Sequence, residues 1–249
     1  MTSCESFSMN SRFFRLDVLV AVALFCLGTV GCQQAVAPPA TPPAAGTAAT
    51  PPAATVEPAV EDTPFELETD FVSLSRDQFE EFDAGPETWK ASPDGLTCTG
   101  KPRGYLYSKL PYENFTWRLE YRFPRPANLK DEAKFKGNTG FLIYITGEHK
   151  LWPDCLEIQG KHLHVAAIKE NGGADAVTVD DNEPARQKAR KHVGQWNALE
   201  IVSKGGAVTA SLNGLQISSS RPGALTSGLI GIQSEDHPFE VRRMRIRAE

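Results

Sequence analysis

Apolar and polar residues alternate along most of the chain beyond residue 64, with a period of two. The clearest example is segment 115–123 (FTWRLEYRF), where odd positions are apolar or aromatic and even positions are polar. Such a segment predicts a β-strand with one face on a core and the other toward solvent or a ligand. Comparable runs predict strands over residues 140–146, 155–159, 163–168, 196–203, 207–212, 227–233 and 239–247, and a short pair at 96–99 and 105–108.

Glycine-rich turns separate these predicted strands. Lys204-Gly205-Gly206 lies between two alternating runs and predicts a hairpin, and Asn213-Gly214 is a second turn of this kind. Helical patterns are restricted to short pieces near residues 75–82 and 184–191. About ten short strands with so little helix predict an all-β fold, either a two-sheet antiparallel β-sandwich or a jelly roll.

The N-terminal segment has the pattern of an export signal. Arg12 and Arg15 precede an apolar run over 18–30, which is shorter than the roughly 20 residues needed to span a bilayer. The run is followed by Gly31-Cys32, which resembles the processing site of bacterial lipoproteins, and the alternative is an ordinary signal peptide with a chance cysteine. We therefore expect a lipoprotein signal peptide over 1–31 and lipidation of Cys32.

Residues 32–63 are rich in Ala, Pro and Thr and contain few large apolar side chains. A segment of this composition cannot offset the entropy lost on ordering, so we expect a disordered tether that adopts extended polyproline geometry. The expected arrangement is an exported, membrane-anchored lipoprotein facing the periplasm or the cell surface. Its globular domain would occupy residues 64–249.

Charge and cysteine content narrow the classes of function. The formal net charge of -5 and the absence of a long basic stripe argue against a nucleic-acid partner. Cys98 and Cys155 are the two cysteines beyond residue 64, and they could form one disulfide or remain two thiols. Neither belongs to a CxxC pair, so the sequence predicts no structural zinc site.

Several short motifs occur in a fixed order along the predicted domain. They are Leu96-Thr97-Cys98-Thr99-Gly100, Gly104-Tyr105-Leu106-Tyr107-Ser108-Lys109, Arg118-Leu119-Glu120-Tyr121-Arg122-Phe123, Gly137-Asn138-Thr139-Gly140-Phe141, Leu156-Glu157-Ile158-Gln159-Gly160, Gly194-Gln195-Trp196-Asn197, Leu212-Asn213-Gly214 and Gly228-Leu229-Ile230-Gly231-Ile232-Gln233-Ser234-Glu235. In this order they resemble the 3-keto-disaccharide hydrolase domain family, over nearly all of 64–249. The resemblance implies a concanavalin A-like jelly roll, export, and action on glycosides oxidised at carbon 3 of a sugar ring.

The implied chemistry sets requirements for the site. A ketone at C3 acidifies the hydrogen on C2, so a base can remove that proton, the enolate can expel the group at C1, and water can then add. These reaction steps need a base, cationic or metal support for the enolate, and an acid for the leaving oxygen if that oxygen is poorly stabilised. A carbohydrate is the expected substrate, and a divalent metal is one candidate for the support.

Polar strand faces supply candidates for these roles. Arg118, Glu120 and Arg122 share one face of segment 115–123, and Glu157 and Gln159 share one face of 155–159. We predict Glu157 as base or metal ligand, Glu120 as a second carboxylate and Arg122 as enolate support. Arg118 would contact the substrate. These roles require the two carboxylates to face one common pocket.

Additional residues are predicted to bind substrate or metal. Gln159 and Asn138 would bind sugar hydroxyls, and Trp152 or Tyr144 would stack on a sugar ring. His164 is a candidate metal ligand beside Glu157 on a neighbouring strand.

Alternative interpretations accompany these roles. A glutamate beside arginines on an exposed sheet is commonly a cross-strand charge pair, which applies to Glu120. His164 could be a structural histidine, and Trp117 and Trp196 are expected in the core. At the level of function, the leading hypothesis is a lipid-anchored hydrolase of 3-keto-glycosides. The alternatives are a non-catalytic carbohydrate-binding module and a cell-surface scaffold domain, since the same fold supports all three.

Overall fold

The computed structural model describes residues 64–249, and this part of the chain is almost entirely β-structure. Its strands are β1 (Val72–Ser73), β2 (Phe79–Phe82), β3 (Trp89–Ser92), β4 (Gly95–Cys98), β5 (Gly104–Ser108), β6 (Phe115–Arg122), β7 (Gly140–Thr146), β8 (Asp154–Gln159), β9 (Ile168–Asn171), β10 (Val179–Asp181), β11 (Asn197–Lys204), β12 (Ala207–Leu212), β13 (Leu215–Ser220), β14 (Leu229–Ser234) and β15 (Phe239–Ala248). One α-helix, α1 (Glu183–Ala189), and 3-10 turns at Arg76–Gln78, Glu132–Lys134 and His162–His164 complete the elements.

The strands form two antiparallel sheets. The nine-stranded sheet has the order β10-β13-β12-β11-β6-β15-β4-β3, with β1 paired to β15. The six-stranded sheet has the order β2-β5-β14-β7-β8-β9. This architecture is the predicted two-sheet jelly roll.

A continuous hydrophobic core lies between the two sheets. Trp117, Leu119 and Tyr121 of β6 enter it from the nine-stranded sheet, and Leu156 and Ile158 of β8 enter it from the six-stranded sheet. Because side chains alternate along a strand, the polar residues between them point away from this core. Each sheet therefore has its own outer face.

Several sequence predictions are confirmed at the level of single elements. Strands 140–146 and 207–212 have the predicted bounds, and Lys204-Gly205-Gly206 joins β11 to β12 as a hairpin. The helix predicted near 184–191 is α1.

Two strand predictions are wrong. Segments 96–99 and 105–108 do not pair, because β4 lies between β3 and β15 in one sheet while β5 lies between β2 and β14 in the other. Segment 163–168 is not a strand, since a 3-10 turn at His162–His164 occupies its start and β9 begins only at Ile168.

Cys98 and Cys155 are buried free thiols, which excludes the disulfide alternative. Within 64–249, no helix is both long and apolar enough to cross a bilayer. The predicted signal peptide, the lipidation at Cys32 and the tether over 32–63 all lie outside the described residues.

Candidate functional site

Polar side chains gather on the outer face of the six-stranded sheet. Glu157 of β8 stands opposite Leu142 of β7 on one side and opposite Lys169 of β9 on the other. Gln159, two residues further along β8, stands opposite Gly140. The predicted shared face of Glu157 and Gln159 is therefore present, and it is turned away from the core.

Gly140 makes room for the Glu157 carboxylate. A Cβ atom on residue 140 would lie 2.5 Å from Glu157 Oε1, and Gln233 Oε1 of β14 approaches the same point. Glu157 and Gln233 thus extend from strands on either side of β7 and approach the same point above a residue without a side chain. Any larger residue at position 140 would separate them.

The Glu157 carboxyl group has a raised pKa. The residue is only 9% exposed, and its pKa is raised to about 7, chiefly by burial. The nearby Glu235 carboxylate contributes to this increase, while the Lys169 ammonium and a hydrogen bond from Gln159 oppose it. Because Gln159 Oε1 accepts from the Lys161 amide at 2.9 Å, its amide nitrogen is the group that donates to Glu157.

Glu235 is the second carboxylate of this cluster. It follows the end of β14, and burial raises its pKa, although a hydrogen bond from Asn138 and the charge of Arg103 oppose the shift. Arg103 also bonds Asp236 Oδ2 through Nε at 3.0 Å. Both carboxyl groups therefore have raised pKa values, and the Glu235 charge lies close enough to raise the pKa of Glu157.

Two amide oxygens in the cluster have no hydrogen-bond donor among the described residues. They are Gln233 Oε1, in a residue 1% exposed, and Asn138 Oδ1. Buried acceptors of this kind are normally satisfied, because leaving them bare costs about 1–3 kcal/mol each. A protonated Glu157 or the hydroxyl group of a bound polyol would supply the missing donor.

An aromatic patch occupies the same outer face further from Glu157. The Tyr105 hydroxyl lies 2.8 Å from His149 Nδ1, and the His149 ring lies 4.1 Å from the Tyr107 ring between centroids. Burial raises the pKa of Tyr105, so its hydroxyl stays protonated in the hydrogen bond that it shares with Nδ1. The register pairs Gln233 of β14 with Tyr105 of β5, which places this patch next to the carboxylate cluster.

The prediction that Glu120 and Glu157 share a pocket is wrong. Leu119 and Leu156 both point into the core from opposite sheets, so the adjacent Glu120 and Glu157 point out through opposite faces of the domain. The alternation of side chains correctly predicts which residues share a face of one strand. It carries no information about which sheet that strand joins.

Glu120, Arg118 and Arg122 instead belong to ion pairs across the nine-stranded sheet. Glu120 Oε2 lies 2.7 Å from Arg242 Nε and Oε1 lies 3.0 Å from Arg243 Nη1. Arg122 pairs with Glu240, and Arg118 pairs with Glu200 and Glu68. Cross-strand charge pairing, the alternative interpretation of Glu120, is thus what the structure contains, and Arg118 and Arg122 lie away from the Glu157 cluster.

Tyr144 also lies away from the cluster, because a bulge interrupts the alternation of β7. The register shifts between Ile143 and Thr146, and Tyr144 has a φ of 60°. Ile143 and Tyr144 therefore both enter the inter-sheet core, where the Tyr144 hydroxyl bonds Ser203 at 2.5 Å. Trp152 is half-buried in the loop between β7 and β8.

The predicted metal site does not fit the residues that the structure brings together. His164 is exposed at the end of a 3-10 turn rather than on a strand beside Glu157. Across residues 64–249, no group of three or more His, Cys, Asp or Glu side chains is arranged to hold a metal ion. The residues around Glu157 therefore do not form the predicted metal site.

Three residues of the cluster were not predicted: Gln233, Glu235 and Lys169. A signal for Gln233 is present in the sequence, because segment 227–233 alternates and places Gln233 on the face opposite Ile232. Glu235 and Lys169 have no such signal. They come near Glu157 only because β14 and β9 join the same sheet as β8.

One family model matches most of the domain: a model described as a 3-keto-alpha-glucoside-1,2-lyase-like domain covers residues 75–247. Two solved structures from Parabacteroides distasonis, each provisionally assigned as a glycosyl hydrolase, have a similar fold. The first has a TM-score of 0.53 at 20% identity, over 72% of this chain and 99% of that one. The second has a TM-score of 0.50 at 15% identity, over 70% of this chain and 90% of that one. A carbohydrate binding module from Bacillus subtilis has a TM-score of 0.48 at 10% identity, over 69% of this chain and 96% of that one. No curated protein matches the chain.

Proposed function

This chain belongs to the 3-keto-alpha-glucoside-1,2-lyase-like domain family, as its motifs predict, and on that premise we propose that it cleaves glycosidic bonds of 3-keto-sugars with Glu157 as the base. The observation that carries the proposal is the Glu157 carboxyl group, nearly buried and with a pKa raised to about 7. A base is most effective when its pKa lies near the working pH.

In this mechanism ionised Glu157 removes the proton from C2 of the 3-keto-sugar. The electrons of the C2–H bond pass into the C2–C3 bond and form the enolate. Reformation of the C3 carbonyl then expels the oxygen at C1 and leaves a C1–C2 double bond. Water adds to C1 while a proton returns to C2, so the overall change is hydrolysis with no oxidant or reductant consumed.

Glu235 and Lys169 would assist Glu157 in two ways. The negative charge of Glu235 would help to keep the pKa of Glu157 near the working pH. Lys169, opposite Glu157 in the register, replaces the predicted Arg122 as the cation that supports the enolate. The unpartnered oxygens of Asn138 and Gln233 would accept from sugar hydroxyls.

The test is turnover of a 3-keto-disaccharide, followed as release of the unoxidised sugar. We expect Glu157→Gln to lower kcat by about 10²- to 10⁴-fold, the usual contribution of a general base. Glu120→Gln is the matched control, because it makes the same change on the opposite face of the domain. Binding without turnover in the unmodified protein would favour the carbohydrate-binding module, and full activity in Glu157→Gln would refute the base assignment.

We also propose that the protein acts as an exported lipoprotein. The support is the charged and apolar pattern of residues 12–30 followed by Gly31-Cys32. Mass spectrometry of the mature protein from bacterial membranes should find an acylated N-terminal Cys32. Release of an unacylated protein into the soluble fraction, unchanged by Cys32→Ala, would contradict this proposal.

A further inference from the structure

A second hollow lies on the outer face of the nine-stranded sheet, on the opposite side of the domain from Glu157. It measures about 420 Å³, and its lining includes Arg122, Trp196, Glu240 and Arg242. Its volume falls within the roughly 300–1,000 Å³ typical of small-molecule sites. None of these residues belongs to the carboxylate cluster.

Trp196 forms an apolar wall of this hollow. The sequence predicts it in the core, but the residue is half-buried and immediately precedes β11 on the outer face. The guanidinium carbons of Arg242 and Arg122 lie 4.1 and 4.5 Å from the centroid of its ring. Such cation–π contacts hold the indole in place, so it is preorganised before any ligand arrives.

The charges around Trp196 are balanced. Arg122 Nη2 lies 2.7 Å from Glu240 Oε2, and Arg242 Nε lies 2.7 Å from Glu120 Oε2. Because each guanidinium faces a carboxylate, the hollow offers neighbouring donors and acceptors without a net positive field. This pattern suits hydroxyl groups, which donate and accept together, and does not favour a phosphate or sulfate group.

We propose that this hollow is a second carbohydrate site, which binds a neutral gluco-oligosaccharide against Trp196. The combination of an apolar wall with paired polar groups matches a sugar, whose C–H surfaces are apolar and whose rim carries hydroxyls. The choice of glucose rests on the proposed function, and the choice of a neutral sugar rests on the ion pairs. The site holds the glycan and performs no chemistry.

The test measures binding of maltohexaose and cellohexaose to the Glu157→Gln protein by ¹H–¹⁵N NMR of the tryptophan side chains. The four tryptophans give four indole signals, and Trp196→Phe assigns the one of interest. We expect at least one of the two sugars to shift the Trp196 signal while the Trp117 signal, from the core, stays in place. Trp196→Ala should weaken that binding at least tenfold. An anionic hexagalacturonate should not compete.

The control separates this site from the catalytic one. Trp196→Ala should retain kcat on a soluble 3-keto-disaccharide, whereas Glu157→Gln should lose turnover and keep the Trp196 shift. An unmoved Trp196 signal with both hexasaccharides would overturn the second site and leave the proposed reaction untouched. Preferred binding of hexagalacturonate would overturn the assignment to a neutral sugar.

Discussion

Gly140 lies directly beneath the Glu157 carboxylate, so close that a Cβ atom on residue 140 would stand 2.5 Å from Glu157 Oε1. Real Cβ atoms do not approach other atoms this closely, and Gln233 approaches the same point from the other side. Because residue 140 has no side chain, the carboxylate and the amide can both approach this point above β7. The positions of Glu157 and Gln233 therefore depend on the absence of a side chain at residue 140 of the strand beneath them.

We expect Gly140→Ala to lower kcat/KM at least tenfold, because the new methyl group must push Glu157 or Gln233 out of position. The measurement is steady-state turnover of a 3-keto-disaccharide, with the melting temperature recorded alongside. Gly173→Ala is the control, since Gly173 lies in an exposed turn. Equal activity in the two variants would show that the positions of Glu157 and Gln233 above Gly140 are unimportant for the reaction.

The pH dependence of kcat/KM should show a rising limb near pH 7, because Glu157 must be ionised to act as a base and its pKa is about 7. Removing the Glu235 charge with Glu235→Gln should move this limb to lower pH. Removing the Lys169 charge with Lys169→Met should move it to higher pH. Shifts in the same direction for both variants would contradict the electrostatic origin of the raised pKa.

Glu157 should also make the folded protein less stable as pH rises. Its pKa is raised from 4.5 to about 7 on folding, so between these values the folded state keeps a proton that the unfolded chain has lost. The free energy of unfolding therefore falls through this window, by on the order of 3 kcal/mol for this group. Urea unfolding at pH 5 and pH 8 should show a smaller difference between the two pH values in Glu157→Gln than in the unmodified protein.

Glu120→Gln should lower the free energy of unfolding without lowering kcat. The change removes the carboxylate that pairs with Arg242 and Arg243, and loss of one partner in a half-buried ion pair costs about 1–3 kcal/mol. Denaturant unfolding gives the stability, and turnover of a 3-keto-disaccharide gives the activity. A tenfold fall in kcat with unchanged stability would instead support the catalytic role that the sequence predicts for Glu120.

The alternation of residues along β8 was enough to predict the part of the site that this strand carries. Strict alternation in 155–159 places Glu157 and Gln159 on one face, and the ordered motifs indicated the correct family. Asn138 was also identified, and it bonds Glu235 at the cluster. These predictions succeed because each depends on residues adjacent in the chain or on motif order.

The same alternation failed at Tyr144. The sequence places it on the face of Leu142, two residues before it, but the bulge inserts an extra residue and turns Tyr144 into the core. A bulge arises from the fit between two strands, so the sequence of one strand does not reveal it.

The sequence by itself determined the all-β class and the residues that share a face of each strand, and it singled out Glu157 as a candidate base. It could do so because side-chain alternation is a local consequence of extended backbone. Only the tertiary structure decided that β6 and β8 belong to different sheets, which separates Glu120 from Glu157 and brings Glu235 and Lys169 to Glu157 instead. Strand order depends on contacts between distant segments, and these form when the two sheets pack their apolar faces together.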